Sequence, residues 1–353
     1  MTQKIGDKMN PLSLHIDVSD FLPAEESEKQ SMVVMRESVN FWKDGFRRLR
    51  KNKLAMISLT VIIVIMIFAF IVPVFYPYSY EQQIRGSENL NLMEYSKEEL
   101  ARKEEGEFVF PHILGTDSLG RDYAVRIMMG SRISLLVGII ASAIILLIGS
   151  IYGSISGYFG GKVDLIMMRI VDIIYTVPDI LIIILLSVTL KYPLKDLAEN
   201  VPGFGWINTV GVGLISIFIV FSLLYWVGMA RIVRGQILTL KEQDFITAAK
   251  ALGASNSRII RKHLLTNCIG TLIVTTTLQI PSSIFTESFL SFLGLGVNAP
   301  MPSLGSLASQ ALGGIKSYPH RLLLPAITIS LIILSFNLLG DGLRDAFDPK
   351  LKN

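Results

Sequence analysis

Four ionisable residues stand inside otherwise apolar runs, and they are the first candidates for chemistry. Arg169 and Asp172 lie three positions apart, so a helix would put them on one face, where they can pair with one another. We read that as a structural pair. Asp179 directly follows Pro178, fourteen residues into its run and about 21 Å along it at the helical rise. Glu287 lies six residues beyond Pro281. A carboxylate at membrane depth costs about 3 kcal/mol on insertion scales, so both acids should face protein or water. The chemistry open to them is electrostatic, and both are candidates for a translocation path. The favoured reading of each is a structural partner in a neighbouring subunit, with contact to a substrate cation as the second.

Groups that make and break bonds are not assembled anywhere. The sequence has no G-x-x-x-x-G-K-[ST] phosphate loop, no HExxH, no CxxC and no G-x-S-x-G. His15, His112, His263 and His320 are scattered, and the Gly- and Asp-rich run LGTDSLGRD at 114–122 lacks EF-hand spacing. No catalytic residue, cofactor or metal site is assigned. Cys268 is the only cysteine, which excludes a disulfide within the chain.

The elements that must position these acids are membrane helices. Of 353 residues, 51% are hydrophobic and 18% charged, with a mean hydropathy of +0.51. The fold class expected is an all-α integral membrane protein with six spans. They fall at about 54–76, 133–157, 165–190 (interrupted by Pro178), 207–230, 264–293 (with Pro281 midway) and 322–340. Ahead of the first span, Val39, Trp42, Phe46 and Leu49 recur every three or four residues among basic side chains, an amphipathic helix at the membrane interface. The net charge of +4 clusters beside apolar spans, which favours lipid headgroups over nucleic acid. The 231–263 loop holds seven Lys or Arg against Glu242 and Asp244, so it is cytoplasmic by the positive-inside rule. Six-span counting from a cytoplasmic N-terminus agrees, and it puts the C-terminus in the cytoplasm too. The organisation read is a cytoplasmic segment 1–53, a first span 54–76, an extracytoplasmic loop 77–131, a five-span core 132–345 and a tail 346–353. In the loop, Ser96 and Glu99 form a capping-box pair that opens a solvated helix, read as an exposed surface insertion. Gly149, Gly153 and Gly157 share one helix face, a packing signal.

Between spans four and five lies a polar, basic island, Lys241–Asn267. It reads as two short helices. Asp244 is placed to cap the first, along which Phe245, Ala248, Ala249 and Leu252 form one apolar stripe. Gly253 suits the left-handed turn that ends it, and Ser255 or Asn256 caps the next. A helix lying on lipid would prefer bulky Leu and Trp to two alanines on that face.

This stretch resembles the coupling motif of ABC importer permeases, a glutamate-Ala-Ala triplet followed by a glycine. The matching residues are Thr247, Ala248 and Ala249, then Gly253, Arg258-Ile259-Ile260 and 263–267. HILGTDSLGRD (112–122), GSRISLLVG (130–138), ESFLSFLGLGVNAPMPSLGSL (287–307) and FNLLGDGLRDAFDPKL (336–351) extend the resemblance. Together, over about 40–351, they look like the C-type membrane subunit of the dipeptide, oligopeptide and nickel uptake branch. Thr247 stands where that family usually has glutamate, Thr266 where it usually has proline, and 81–107 is longer than its usual loop. The resemblance implies a second homologous permease subunit, two ATPase subunits that hydrolyse ATP, and an extracytoplasmic substrate-binding protein. It also implies that Asp244, Phe245, Thr247, Ala248, Ala249, Leu252 and Gly253 pass the ATPase motion to the spans. The rivals are an ion-coupled secondary transporter, supported by Pro178/Asp179 and Pro281/Glu287, and a structural scaffold, supported by the glycine face.

Overall fold

A computed structural model describes residues 41–297 and 300–347. The chain divides into two units, with the boundary between Asp44 and Gly45. In the first, Phe41 and Trp42 meet edge to face. Val39 and the tail 348–353 lie outside the described residues. Among the described residues the structure is helical, and two isolated β-bridges, Glu94–His112 and Thr116–Asp122, stand where strands would.

The helices are α1 (Phe41–Lys51), α2 (Lys53–Phe70), α3 (Val72–Phe75), α4 (Lys97–Glu104), α5 (Tyr123–Phe159), α6 (Gly161–Thr176) and α7 (Asp179–Asn200). They continue as α8 (Trp206–Val210), α9 (Val212–Leu224), α10 (Trp226–Leu240), α11 (Asp244–Ala251) and α12 (Asn256–Arg258). A π-helical segment, Ile259–Leu264, leads into α13 (Leu265–Asn267) and α14 (Ile269–Phe292). α15 (Leu304–Ala311) and α16 (His320–Phe347) complete the order.

Among the described residues, five stretches are long and apolar enough to cross a membrane as single spans, and α6 with α7 makes a sixth only as a pair bent by 86°. The straight third span expected from the sequence is therefore broken. Proline disfavours helical geometry in the residue before it, and Val177 is accordingly extended (φ −85°, ψ 135°). The depth reckoned for Asp179 along one straight helix does not apply. The second span also starts earlier than expected, at Tyr123 rather than Ile133, because Asp122 caps it by accepting from the Val125 N–H at 3.0 Å. The fourth runs on through α10 to Leu240, and the last extends past Gly340 to Phe347.

α5 is the central helix. Gly149, Gly153 and Gly157 all face α10, and a Cβ added at Gly153 would fall 2.4 Å from the Ala230 carbonyl oxygen. Such close backbone approach drives helix association where lipid is as apolar as the side chains. Nearer the N-terminus of α5, Gly138 leaves room for the Ile284 side chain of α14. Val137, Ala141, Ile145, Val233 and Ile237 close the core between these helices. α2 leaves Leu54, Val64 and Ile67 exposed, as a lipid-facing helix should.

α15 was not anticipated. It enters after the chain leaves α14, with Ser303 and Ser306 forming a reciprocal capping box. Gly305 sits against the Ser288 backbone and Gly130 against the backbone of Leu304, so α15 is wedged between α5 and α14.

Candidate functional site

The Lys241–Asn267 stretch is built as two short helices packed at the C-terminal end of α5. α11 begins at Asp244, but its N-cap is Gln243, in extended conformation and with no side-chain cap bond. The expected cap by Asp244 is thus corrected: the residue is already helical, and its charge favours the helix N-terminus through the dipole instead. The expected apolar stripe also splits. Ile246 and Ala249 are buried in the core with Ile237, Ile259 and Leu264. Phe245, Ala248 and Leu252 face outward, Leu252 being 88% exposed, with Thr247 exposed beside them. Ile246 and Ala249 stand three apart, so anchoring one helix face through them turns the opposite face out.

Gly253 ends α11 at φ +78°, where an L side chain would be strained. Its N–H bonds to the Lys250 carbonyl at 2.9 Å, and the Ala254 N–H to the Ala249 carbonyl at 3.0 Å. These are the two bonds of a Schellman stop. Ser255, not Asn256, caps α12. The Asn256 side chain instead accepts from the Tyr158 hydroxyl on α5 at 2.8 Å, and Lys241 Nζ donates to the Gly157 carbonyl at 3.1 Å. Thr266, in the turn after the π segment, donates to the Arg261 carbonyl at 3.4 Å.

At the α6–α7 break the expected Arg169–Asp172 pair is replaced. α10 brings Arg231 to Asp172 at 2.8 Å, and the same guanidinium covers the Tyr175 ring at 4.3 Å. One turn on, Arg234 holds Asp164 through Nε and Nη2, each at 2.5 Å. Asp179 is exposed at the first position of α7 and accepts from the Ile180 N–H at 2.9 Å. It lines a cavity of about 440 Å³ with Tyr175, Pro178, Ile182, Tyr225 and Gly228.

Glu287 has the opposite surroundings. It is fully buried and accepts from Ser134 of α5 at 2.8 Å, Ser291 at 2.7 Å and Ser288 at 3.3 Å. Three hydroxyls of its own chain stand where a partner in a neighbouring subunit was expected. Ser291 in turn accepts from the Val297 N–H at 3.0 Å and so fixes the turn that leads to α15.

A polar cluster missed in the sequence closes the other end of α5. His112 is fully buried, with Nδ1 2.7 Å from Asp122 and Nε2 3.1 Å from Glu99, and the Tyr78 ring stacks on it at 4.4 Å. The Ser96–Glu99 capping box forms, but Glu99 is 2% exposed because its other oxygen meets His112. The 81–107 segment is thereby anchored at the first turn of α4 and is not wholly a surface insertion. Burial pulls the His112 pKa down, but the hydrogen bond and charge of Asp122, then those of Glu99, carry it above its ordinary value. Burial pushes the Tyr78 hydroxyl up to about 12. The signal for this cluster was present: a histidine and a cap-position aspartate ten residues apart in HILGTDSLGRD, close behind an acidic capping box.

Residues 149–353 match the family model of binding-protein-dependent transport system inner membrane components. Residues 40–92 match the N-terminal transmembrane domain of oligopeptide transport permease C. The chain is 42% identical to the oligopeptide transport system permease protein OppC of Bacillus subtilis, over 94% of this chain and 97% of that one. It is 42% identical to the dipeptide transport system permease protein DppC of the same organism, over 96% and 95%. Against OppC of Escherichia coli K12 the identity is 37% over 93% and 97%. With residues 40–92 and 149–353 matched and apolar helices long enough to span a membrane in both regions, the chain belongs to the family of binding-protein-dependent transport system inner membrane components.

Proposed function

We propose that the chain is one membrane half of an ABC importer for small peptides and that α11 is its contact with an ATPase subunit. The observation that carries this is the two-sided build of α11. Ile246 and Ala249 lock its back into the core, while Phe245, Ala248 and Leu252 stand outward beside Thr247. An exposed apolar helix face on a rigid mount suits a groove in a partner protein. The Schellman stop at Gly253 sets the angle to α12 and the π segment, so a push on α11 reaches α14 through a continuous backbone. Lys241, Arg258, Arg261 and Lys262 support a cytoplasmic position for this side through the positive-inside rule.

The assembly takes a second homologous permease subunit, two ATPase subunits and an extracytoplasmic binding protein. Peptide as cargo follows the names of the relatives. Asp179 is the path candidate that fits, an exposed carboxylate among Tyr175 and Tyr225 beside the bend, suited to a peptide's ammonium group. The ion-coupled carrier loses one of its two acids, since the Ser134, Ser288 and Ser291 hydroxyls enclose Glu287.

The test is uptake by the assembled complex in proteoliposomes. Uptake should require ATP, survive collapse of ion gradients and be lost in Leu252→Asp. Asp179→Asn should weaken uptake while assembly survives. Gradient-driven uptake by this chain alone would overturn the reading.

A further inference from the structure

A second cavity, of about 430 Å³, lies on the same side of the protein as His112. Asn89, Asp117, Ser118 and Tyr123 line it on one side, and Gln310, Tyr318 and Arg321 on the other. Its charge is unbalanced. Arg121 and Arg126 share one carboxylate, Asp117, at 2.7 Å and 3.5 Å, and Arg321 adds a third positive charge to the lining. Arg126 is 1% exposed and Arg321 6%.

The hydrogen bonds of Arg321 are one-sided. Nη1 donates to Asn89 Oδ1 at 2.8 Å, and Asn89 adopts left-handed backbone (φ 61°) in the loop that presents it. Nε and Nη2 are buried and, among the described residues, have no hydrogen-bond partner. Those two nitrogens form one edge of the guanidinium, the edge that takes both oxygens of a carboxylate in parallel. The protein uses that edge in this way elsewhere, where Arg234 Nε and Nη2 hold the two oxygens of Asp164. A buried guanidinium with half its donors idle is costly, and a planar anion of matching shape removes that cost.

We propose that this cavity is a carboxylate-binding subsite, with the Nε/Nη2 edge of Arg321 as its clamp. Tyr318 lines the cavity and covers the face of the same guanidinium at 4.0 Å. Gln310, held by Arg126 at 3.1 Å, offers its carboxamide opposite. The ligand is a small solute bearing a free carboxylate. The peptide-importer reading enters only in the choice of probe, the dipeptide Ala-Ala.

Titration calorimetry on the full-length chain in nanodiscs tests this with Ala-Ala, its C-terminal amide and inorganic phosphate. Ala-Ala should bind, whereas the amide and phosphate should not. Arg321→Lys keeps the charge but loses the forked edge and should weaken Ala-Ala binding by about tenfold or more. Equal binding of acid and amide, stronger binding of phosphate, no binding of Ala-Ala, or unchanged affinity in Arg321→Lys would each overturn the proposal. If Arg321→Lys does not fold, the acid–amide comparison on the unaltered chain decides. Neither ATP nor uptake is read, so this result and the fate of the importer reading are separable.

Discussion

At the N-terminal end of α5 the contacts join buried charges: His112 between Glu99 and Asp122, and Asp117 among arginines. At its C-terminal end they join small residues and aliphatic side chains: Gly149, Gly153 and Gly157 against α10, and Ile246 and Ala249 beneath α11. Charge networks impose particular partners and angles, and removing one member leaves the rest uncompensated. Glycine seams impose distance alone, tolerate no added atoms and do not respond to pH. The N-terminal end is thus specified mainly by buried charge, and the C-terminal end mainly by close packing, with the Arg234–Asp164 pair beside it.

The largest effect should come from the charged end. Asp122→Ala removes both the cap of α5 and a partner of His112, and it should cost about 3–5 kcal/mol in denaturant unfolding of the purified chain. A loss below about 1 kcal/mol would put the two ends on an equal footing. Next comes Gly153→Val, whose Cβ would lie 2.4 Å from a carbonyl oxygen. It should cost about 1–3 kcal/mol, read as a lower melting temperature.

A pH series separates the ends without mutation. The folded His112 pKa lies above its unfolded value. Its contribution is therefore complete below the unfolded pKa and is lost as pH rises through the folded one. The groups facing it are Glu99, Asp122 and the stacked Tyr78, with Tyr76 on Asp122. Proteolysis within 81–107 should accelerate as pH climbs through the raised His112 pKa, while cleavage near 241–267 stays level. A flat profile at both sites would remove His112 from the account.

The smallest effects on stability belong to the outward face of α11. Leu252→Asp should change unfolding by less than about 0.5 kcal/mol yet abolish ATP-driven uptake. Thr247→Ala should leave both nearly unchanged. A severe uptake defect in Thr247→Ala would mean that the contact rests on that hydroxyl rather than on shape.

What the sequence disclosed is mostly local. The Gly253 turn and the Ser96–Glu99 box depend on residues within a few positions, so composition and spacing reveal them. The break at Pro178 was visible, but not its 86° consequence, since neighbouring helices set how far a broken span turns. Asp172 pairs with a residue 59 positions away, and Glu287 with one 153 away. No periodicity encodes such partners. The inward turn of Ala249 was hidden for a related reason: on an eight-residue helix with apolar residues on two faces, only the surrounding core decides which face is buried.

The π segment at Ile259–Leu264 gives this end one further property. A π turn holds about one residue more than an α turn. If it retightened to α geometry, every residue beyond it would advance by one position, a rotation of about 100° and a shift of about 1.5 Å. The π segment thus sets the register in which α14 follows α12, and Thr266 bonds back across it to the Arg261 carbonyl.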